Sequence, residues 1–356
     1  MRKLLLKLHL YVALVAGIFV TILGATGSIM AFEPELDRLF NPSLFTVKPE
    51  NHPAMTITSI IGMLHQKYPG VQIGDVGFAG GMNGSILASL DNGATLFINP
   101  YTGQILGQRT GQSFLDYVHQ AHIRLLSGQT GKTIMGVAGI AMLFLVITGI
   151  ILWWRYKQFS LKLNGTLIRA MFDLHTVTGI YSALFLLFLS ATGVVIAYDG
   201  TFLTWMFKAT DTKPIARYLP STPLEGVDPI SPDSALGIAL TSLPGSSPIG
   251  ISLPSDPKGS FLIRTHFPED RTPGGRSWAC VDQFSGQVLV SQNSRTAPGP
   301  TRAMILNRAI HTGDIFGIFS KSLLSLSSLL VVLQAVSGVI LWWKRDRKSK
   351  TAGVKI

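Results

Sequence analysis

Histidine is the residue type in this chain best suited to chemistry, because four of its eight histidines stand near the ends of long apolar segments. These four are His9, His122, His175 and His311. Ionisable residues at membrane depth are costly, so each is a candidate functional residue. Two neutral imidazoles from facing helices fill both axial positions of a haem iron. Because His9 and His175 stand at one level and His122 and His311 at another, the sequence predicts two haems of the b type.

Alternatives stay open for individual histidines. His119 lies three residues before His122, one turn away on the same helical face, so it can replace His122 as a ligand or contact a haem propionate. A single histidine near a helix end is more often interfacial or hydrogen-bonded, and intramembrane histidines also form proton relays. The four together favour ligation. We predict a structural role for His65 and solvated positions for His52 and His266.

Small residues on the helices of two candidate ligands predict room for a macrocycle. Gly179 lies one turn from His175, and Gly17 lies on the helix of His9. Glycines also permit close packing in any bundle of membrane helices, which is the simpler explanation for most of them.

Four apolar segments must position these histidines. Of the 356 residues, 47% are hydrophobic and 14% are charged, against about a quarter charged in soluble proteins. The segments long enough to cross ~30 Å of hydrocarbon are 8–32, 133–154, 175–198 and 322–343. The first is too long for a typical signal-peptide core, which predicts a retained anchor.

Charge predicts the orientation of these segments. Residues 1–7, 155–174 and 344–356 hold thirteen Lys and Arg against two acids, whereas the remainder holds seventeen of each sign. Positive charge marks cytoplasmic flanks, so both termini are predicted inside. A Trp pair followed by cations ends the second and fourth segments, as expected at the headgroup layer. Since the net charge of +11 belongs to these flanks, no nucleic-acid partner is predicted.

The chain repeats itself. The triplet Ala-Thr-Gly at 25–27 recurs at 191–193, and this shift of 166 residues carries His9 onto His175. The Trp pairs differ by 189 residues, and this shift carries His122 onto His311. Each outer segment reads as a helix (57–70 and 231–245) and a small antiparallel sheet with a hairpin, TGQIL or SGQVL. We therefore predict an internal duplication of helix, outer α+β domain, helix.

Other chemistry has little support. The single cysteine, Cys280, excludes an intramolecular disulfide, a cysteine zinc site and C-x-x-C-H haem attachment, and it is expected half-buried on a strand. No hydrolase motif stands out. The cytoplasmic segments are short and carry no Gly-rich phosphate loop, so electrons must come from quinol or from a separate cytoplasmic reductase.

The chain resembles the PepSY-associated transmembrane family, whose members include iron-regulated inner-membrane proteins. The matching features are LHLYVALVAGIFVTILGATGSIMAF, LHTVTGIYSALFLLFLSATG, HTGDIFGIF, the two LWW helix ends and the two hairpins. The resemblance covers nearly the whole chain. Its motifs are degenerate singly, but their order and duplication are specific.

The resemblance implies a multi-pass protein of the bacterial inner membrane, with a four-helix transmembrane bundle and two periplasmic PepSY-like α+β domains. The implied organisation is spanning helices at 1–32, 133–156, 175–198 and 322–343, PepSY-like domains at 33–132 and 199–321, a cytoplasmic loop at 157–174 and a cytoplasmic tail at 344–356. It also implies His9, His175, His122 and His311 as haem ligands.

The function implied is a haem-containing reductase that passes electrons across the membrane to a ferric siderophore. The expected partners are the ferric siderophore, an electron donor and membrane lipid. Two alternatives are a cofactor-free siderophore permease or accessory subunit, and a PepSY binding module anchored in the membrane. Four helices are few for a transporter, which argues against a permease. A membrane anchor alone does not explain the paired histidines, which argues against a binding module.

Overall fold

The computed structural model describes residues 1–80, 84–162 and 165–352, with side chains as far as residue 344. Positions 163–164 of the predicted cytoplasmic loop and 353–356 of the predicted tail lie outside the described residues. The chain divides into two compact units. The helical unit comprises Met1–Glu33, Ser113–Phe202 and Leu306–Ile356, and the sheet unit comprises Pro34–Gln112 and Leu203–Ile305.

The described helices are numbered along the chain. They are α1 Arg2–Met30, α2 Glu33–Phe40, α3 Pro42–Phe45, α4 Ile57–Lys67, α5 Phe114–Arg124, α6 Gly128–Trp153, α7 Leu167–Ala197, α8 Asp199–Ala209, α9 Pro232–Ser242, α10 Gly299–Thr312 and α11 Ile318–Ala352, with a 3₁₀ turn at Asp314–Phe316. The described strands are β1 Ile73–Phe78, β2 Ile86–Leu90, β3 Thr95–Ile98, β4 Ile105–Arg109, β5 Ser247–Ser252, β6 Ser260–His266, β7 Ser277–Asp282 and β8 Val288–Gln292.

Four of the described helices are long and apolar enough to cross a membrane: α1, α6, α7 and residues Ile318–Lys344 of α11. Their mean hydropathy is 2.2 to 2.6, and at most 28% of each apolar window is buried inside the protein. Apolar side chains that are not buried against protein need lipid around them. The prediction of a membrane-type protein with four helices able to cross a membrane is confirmed.

The four spanning helices form a ring. Helix α1 packs against α6 and α11, and α7 packs against the same two helices, so α1 and α7 occupy opposite corners. Val20, Val146, Leu186 and Val331 are buried at the centre. A Cβ atom at Gly24 of α1 would lie 2.7 Å from a carbonyl oxygen of α11, so this contact depends on the small residue.

The spanning helices begin earlier than the sequence predicted. Helix α7 begins at Leu167 instead of residue 175, so part of the predicted cytoplasmic loop is helical. Thr166 caps this helix through its side chain, and Arg169 pairs with Asp173 one turn later at 3.0 Å. Cap and ion pair let polar turns join the apolar helix. Helices α6 and α11 begin at Gly128 and Ile318, also before the predicted 133 and 322.

The sequence predicted two separate outer domains, but the two outer segments form a single unit. In the described part of the chain, all eight strands form one antiparallel sheet in the order β4-β3-β2-β1-β5-β6-β7-β8. Strand β1 of the first segment pairs with β5 of the second, with Val76 opposite Ile251. This pairing removes two exposed sheet edges and places both segments over one core. Helix α5, which the sequence assigned to the first outer domain, belongs to the helical unit.

Within each outer segment, the predicted helix and hairpin are confirmed. Helix α4 is capped by Thr56 and α9 by Ser231, and both contribute to the single core of the sheet unit. The β3–β4 and β7–β8 hairpins turn at Gly103 and Gly286, whose φ angles of 71° and 70° favour glycine. Cys280 lies on β7 and is fully buried, deeper than predicted.

Candidate functional site

The four candidate imidazoles occur as two pairs inside the helical unit. The rings of His122 and His311 face each other with centroids 6.4 Å apart and planes inclined at 51°. His9 lies on α1 and His175 on α7, the two opposite corners of the ring of helices. We call these pairs the His122 layer (His122 and His311) and the His9 layer (His9 and His175).

The two layers stand far apart along the bundle. On α1, seventeen residues separate His9 from Thr26, whose side chain contacts His122. On α7, the same number separates His175 from Thr192, which contacts His311. Seventeen residues of α-helix span about 25 Å at about 1.5 Å per residue. The layers therefore lie near opposite ends of a structure that can cross a membrane.

Each of the four imidazoles is fixed through its Nδ1 atom by a neighbouring helix. The contacts are His9 to Thr148 Oγ1 at 2.7 Å, His122 to Thr26 Oγ1 at 2.9 Å, His311 to Thr192 Oγ1 at 3.0 Å, and His175 to the Gln334 carbonyl at 3.0 Å and Ser337 Oγ at 3.2 Å. Each contact joins two helices of the same half of the chain. Helices α1 and α6 supply Thr26 and Thr148, and α7 and α11 supply Thr192 and Ser337.

These contacts determine which ring nitrogen carries the proton. Each hydroxyl donates its hydrogen to the carbonyl four residues earlier in its own helix, as Thr148 does to Phe144 at 2.8 Å and Ser337 does to Leu333 at 2.7 Å. The hydroxyl can then only accept from the imidazole, so Nδ1 donates a hydrogen and Nε2 keeps a lone pair. A neutral imidazole with its Nδ1–H bonded to the protein is the form that ligates metals.

A glycine follows each of the four hydroxyl residues and lies against the same imidazole. The distances from a Cβ built on each glycine to the histidine Cε1 are 3.1 Å for Gly27, 3.6 Å for Gly149, 3.0 Å for Gly193 and 3.4 Å for Gly338. A larger residue at the tighter positions would push the ring away. We call each pair of a hydroxyl residue and its glycine a Ser/Thr-Gly cradle, in which the hydroxyl holds Nδ1 and the glycine makes room for the ring edge.

Sequence reasoning missed the cradles, although their signal was present. Thr26-Gly27 and Thr192-Gly193 belong to the repeated Ala-Thr-Gly triplets. Gly149 and Gly338 open the two repeated strings that end in a Trp pair. The glycines that touch the histidines therefore lie on partner helices. Gly17 and Gly179, on the histidines' own helices, adjoin open space.

The structure places His122, and not His119, opposite His311. The Nδ1 atom of His119 lies 3.1 Å from a Glu33 carboxylate oxygen, and this hydrogen bond raises the pKa of His119. Burial lowers the pKa of His122 to about 3 and that of His311 to about 4. Both rings of the His122 layer are therefore neutral at pH 7, as ligation requires. His52, predicted to be solvated, is exposed and paired with Glu50.

The layers offer a metal two ligands each and no more. Among the described residues, no group of three or more His, Cys, Asp or Glu side chains is placed to hold a metal ion, and no hydrogen bond reaches Nε2 of the four imidazoles. A metal bonded to two facing Nε2 atoms at about 2 Å each would separate the ring centroids by roughly 6 Å. The 6.4 Å between His122 and His311 fits such a pair. The metal must bring its remaining ligands with it.

The family described as the PepSY-associated TM region matches residues 6–345, which is nearly the whole chain. No curated protein sequence matches the chain.

Proposed function

Because the chain belongs to the PepSY-associated transmembrane family, a family of membrane proteins, we propose that its bundle holds two b-type haems. One haem lies in the His9 layer and the other in the His122 layer. The observation that carries the proposal is the set of four Ser/Thr-Gly cradles, each of which leaves an Nε2 lone pair without a hydrogen-bond partner in the described residues. Their spacing by 166 and 189 residues also supports an internal duplication of the helical unit and of the PepSY-like segments.

The donor set suits haem better than a bare metal ion. Haem supplies four ring nitrogens, so two axial imidazoles complete the iron without further protein ligands. Cys280 is the chain's single cysteine, so covalent attachment through C-x-x-C-H is excluded and the haems are of the b type. With both axial positions filled, the site is built for electron transfer.

We further propose that the protein is a ferric-siderophore reductase. Bound haem supplies one-electron transfer, and the chain holds the two layers about 25 Å apart so that electrons can cross the bundle. The segments of the sheet unit are inserted before His122 and before His311, which favours the His122 layer as the exit. One electron converts Fe(III) to Fe(II), which hard oxygen ligands hold less tightly, so the siderophore releases its iron for uptake.

The proposed orientation has both termini in the cytoplasm and the sheet unit in the periplasm of a bacterial inner membrane. It rests on the thirteen cations of the terminal and central flanks. Exposed Trp154, Trp342 and Trp343 near those flanks fit a headgroup layer at the same level. Alkaline phosphatase fused to the C-terminus is expected to be inactive, and phosphatase inserted in the sheet unit is expected to be active. The opposite pattern would refute the orientation.

The function is tested on purified protein by the pyridine haemochromogen assay and by absorption spectroscopy. We expect two haems b per chain, a Soret band that dithionite shifts, and reoxidation of the reduced protein by a ferric siderophore. If a ferric siderophore left the spectrum of the reduced protein unchanged, the proposal of a ferric-siderophore reductase would be wrong. If the purified protein were colourless, the haem proposal would also be wrong, and a permease, an accessory subunit or an anchored binding module would be favoured.

A further inference from the structure

A pocket of about 540 Å³ adjoins the His9 layer. It is lined by Tyr156, Gln158, Thr166, Ile168, Arg169, Phe172 and Leu341. Phe172 precedes His175 by three residues, and Leu341 follows Gly338 of the His175 cradle by three residues. The pocket therefore lies about one helical turn from the imidazole. A molecule bound there would stand next to the metal site.

We propose that this pocket binds the head group of a membrane quinol, which is the electron donor. The inference rests on the proposed haem function and names the substrate that reduces the His9 layer. The volume lies within the range of about 300–1,000 Å³ that small-molecule sites occupy. The walls suit a flat ring with two oxygens, because aromatic, apolar and hydrogen-bonding side chains share them.

The aromatic wall consists of Tyr156 and Phe172. Their rings meet edge to face with centroids 6.1 Å apart. Such rings stack on or meet the edge of a six-membered ring with favourable geometry. Ile168 and Leu341 add apolar surface from α7 and α11, the ends of two spanning helices.

The cation that lines the pocket, Arg169, is paired with an acid, and Arg2 contacts the Tyr156 hydroxyl. The guanidinium of Arg169 lines the pocket, but its Nε lies 3.0 Å from the carboxylate of Asp173, which is fully buried. The pair is neutral as a whole, so Arg169 has little net attraction left for a nucleotide phosphate or a haem propionate. A quinol carries no charge.

Polar groups in the pocket match the two oxygens of a quinol. The amide nitrogen of Gln158 donates to the Ser160 carbonyl at 3.2 Å, which leaves its amide oxygen to accept from a quinol hydroxyl. The Arg169 guanidinium can donate to the opposite oxygen. After oxidation both oxygens are acceptors, so the site holds the product less well through Gln158.

Trp153, the first tryptophan of the pair at the end of α6, holds the chain segment that carries Gln158. Trp153 Nε1 donates to the Gln158 carbonyl at 2.9 Å, and the Trp153 ring meets Phe159 edge to face at 4.9 Å. These contacts hold the chain at Gln158 and Phe159. The repeated Trp pair therefore has a role at this helix end beyond anchoring in the headgroup layer.

The reaction balances without another partner. Oxidation of one quinol to quinone breaks two O–H bonds and releases two protons to water. The two electrons leave one at a time through the His9 layer, and two ferric siderophores accept them. No nucleotide is needed, which agrees with the absence of a Gly-rich phosphate loop in the cytoplasmic segments of the sequence.

The test uses the full chain with its haems in lipid nanodiscs and decylubiquinol as the probe. We expect decylubiquinol to reduce the Soret band of the wild-type protein. Phe172→Ala and Gln158→Leu are expected to slow this reduction at least tenfold, with unchanged haem content and unchanged reduction by dithionite. Phe188→Ala, an exposed aromatic on the same helix outside the pocket, is the matched control and should reduce at the wild-type rate.

The outcomes separate this inference from the proposed function. A protein that dithionite reduces and decylubiquinol does not would refute the quinol site and leave the haem proposal standing. Equal rates in both pocket variants and the wild type would place quinol oxidation elsewhere and also refute the site. A protein without haem would overturn both proposals.

Discussion

We expect His311→Ala to lower the haem content of the purified protein from two per chain to one and to abolish reduction of a ferric siderophore. The His122 layer consists of two imidazoles, and loss of either leaves the iron without one of its two protein ligands. His175→Ala is expected to remove the haem of the His9 layer in the same way. The pyridine haemochromogen assay counts the haems, and the remaining site keeps the low-spin spectrum of two histidine ligands.

His119→Ala is the matched control for these variants. It also removes a histidine from α5, but this side chain is held by Glu33 and does not face His311. We expect two haems and an unchanged spectrum. If His119→Ala lost one haem and His122→Ala kept both, the ligand of this layer would be His119. If the four single alanine variants of His9, His122, His175 and His311 all kept full haem content, these histidines would not be the haem ligands.

We expect Thr192→Val to weaken haem binding in the His122 layer by about 10–100-fold, the usual cost of losing a group that orients a metal ligand. Valine has the shape of threonine but no hydroxyl, so the Nδ1–H of His311 loses its acceptor at 3.0 Å. Thr192→Ser keeps the hydroxyl and is expected to bind haem as the wild type does. The measurement is haem retention during titration with a competing apoprotein.

Gly193→Val tests the other half of the same cradle. The Cβ position at Gly193 lies 3.0 Å from Cε1 of His311, so valine displaces the imidazole. Gly62→Val, in a helix of the sheet unit where a Cβ meets open space, controls for the cost of valine in a helix. Wild-type haem affinity in both Thr192→Val and Gly193→Val would show that the cradles do not position the ligands.

The membrane class, the four spanning helices and the candidate ligands were accessible from sequence because each leaves a local signal. Apolar length predicts a span, and a fixed offset between repeated strings selects His9, His122, His175 and His311 from eight histidines. The outer helices and hairpins were also predictable, since caps and turn glycines act on neighbouring residues.

The cradles and the single sheet were not predictable in this way. Whether Thr148 meets His9 depends on the rotation of two helices about their axes, which apolar composition leaves open when the whole helix faces lipid or protein. Strand β1 contains Gly74, Asp75 and Gly77 and has weak strand propensity. It is held by pairing with β5 and by the bidentate ion pair of Asp75 with Arg264, at 2.7 and 2.8 Å, which joins two distant segments.

The Ser/Thr-Gly cradles join helices within each half of the chain through protein contacts alone. Within each half of the chain, a histidine of one spanning helix contacts the other, His9 of α1 with α6 and His175 of α7 with α11, while α1 and α7 also hold His122 of α5 and His311 of α10. Each half then supplies one oriented imidazole to the His9 layer and one to the His122 layer. A haem iron with two histidine ligands would need the imidazoles of both halves. A haem in either layer would add a further link between the two halves, which already pack through α1 with α11 and α6 with α7. In the sheet unit the same two halves are joined without a cofactor, by the pairing of β1 with β5 and by the ion pair of Asp75 with Arg264.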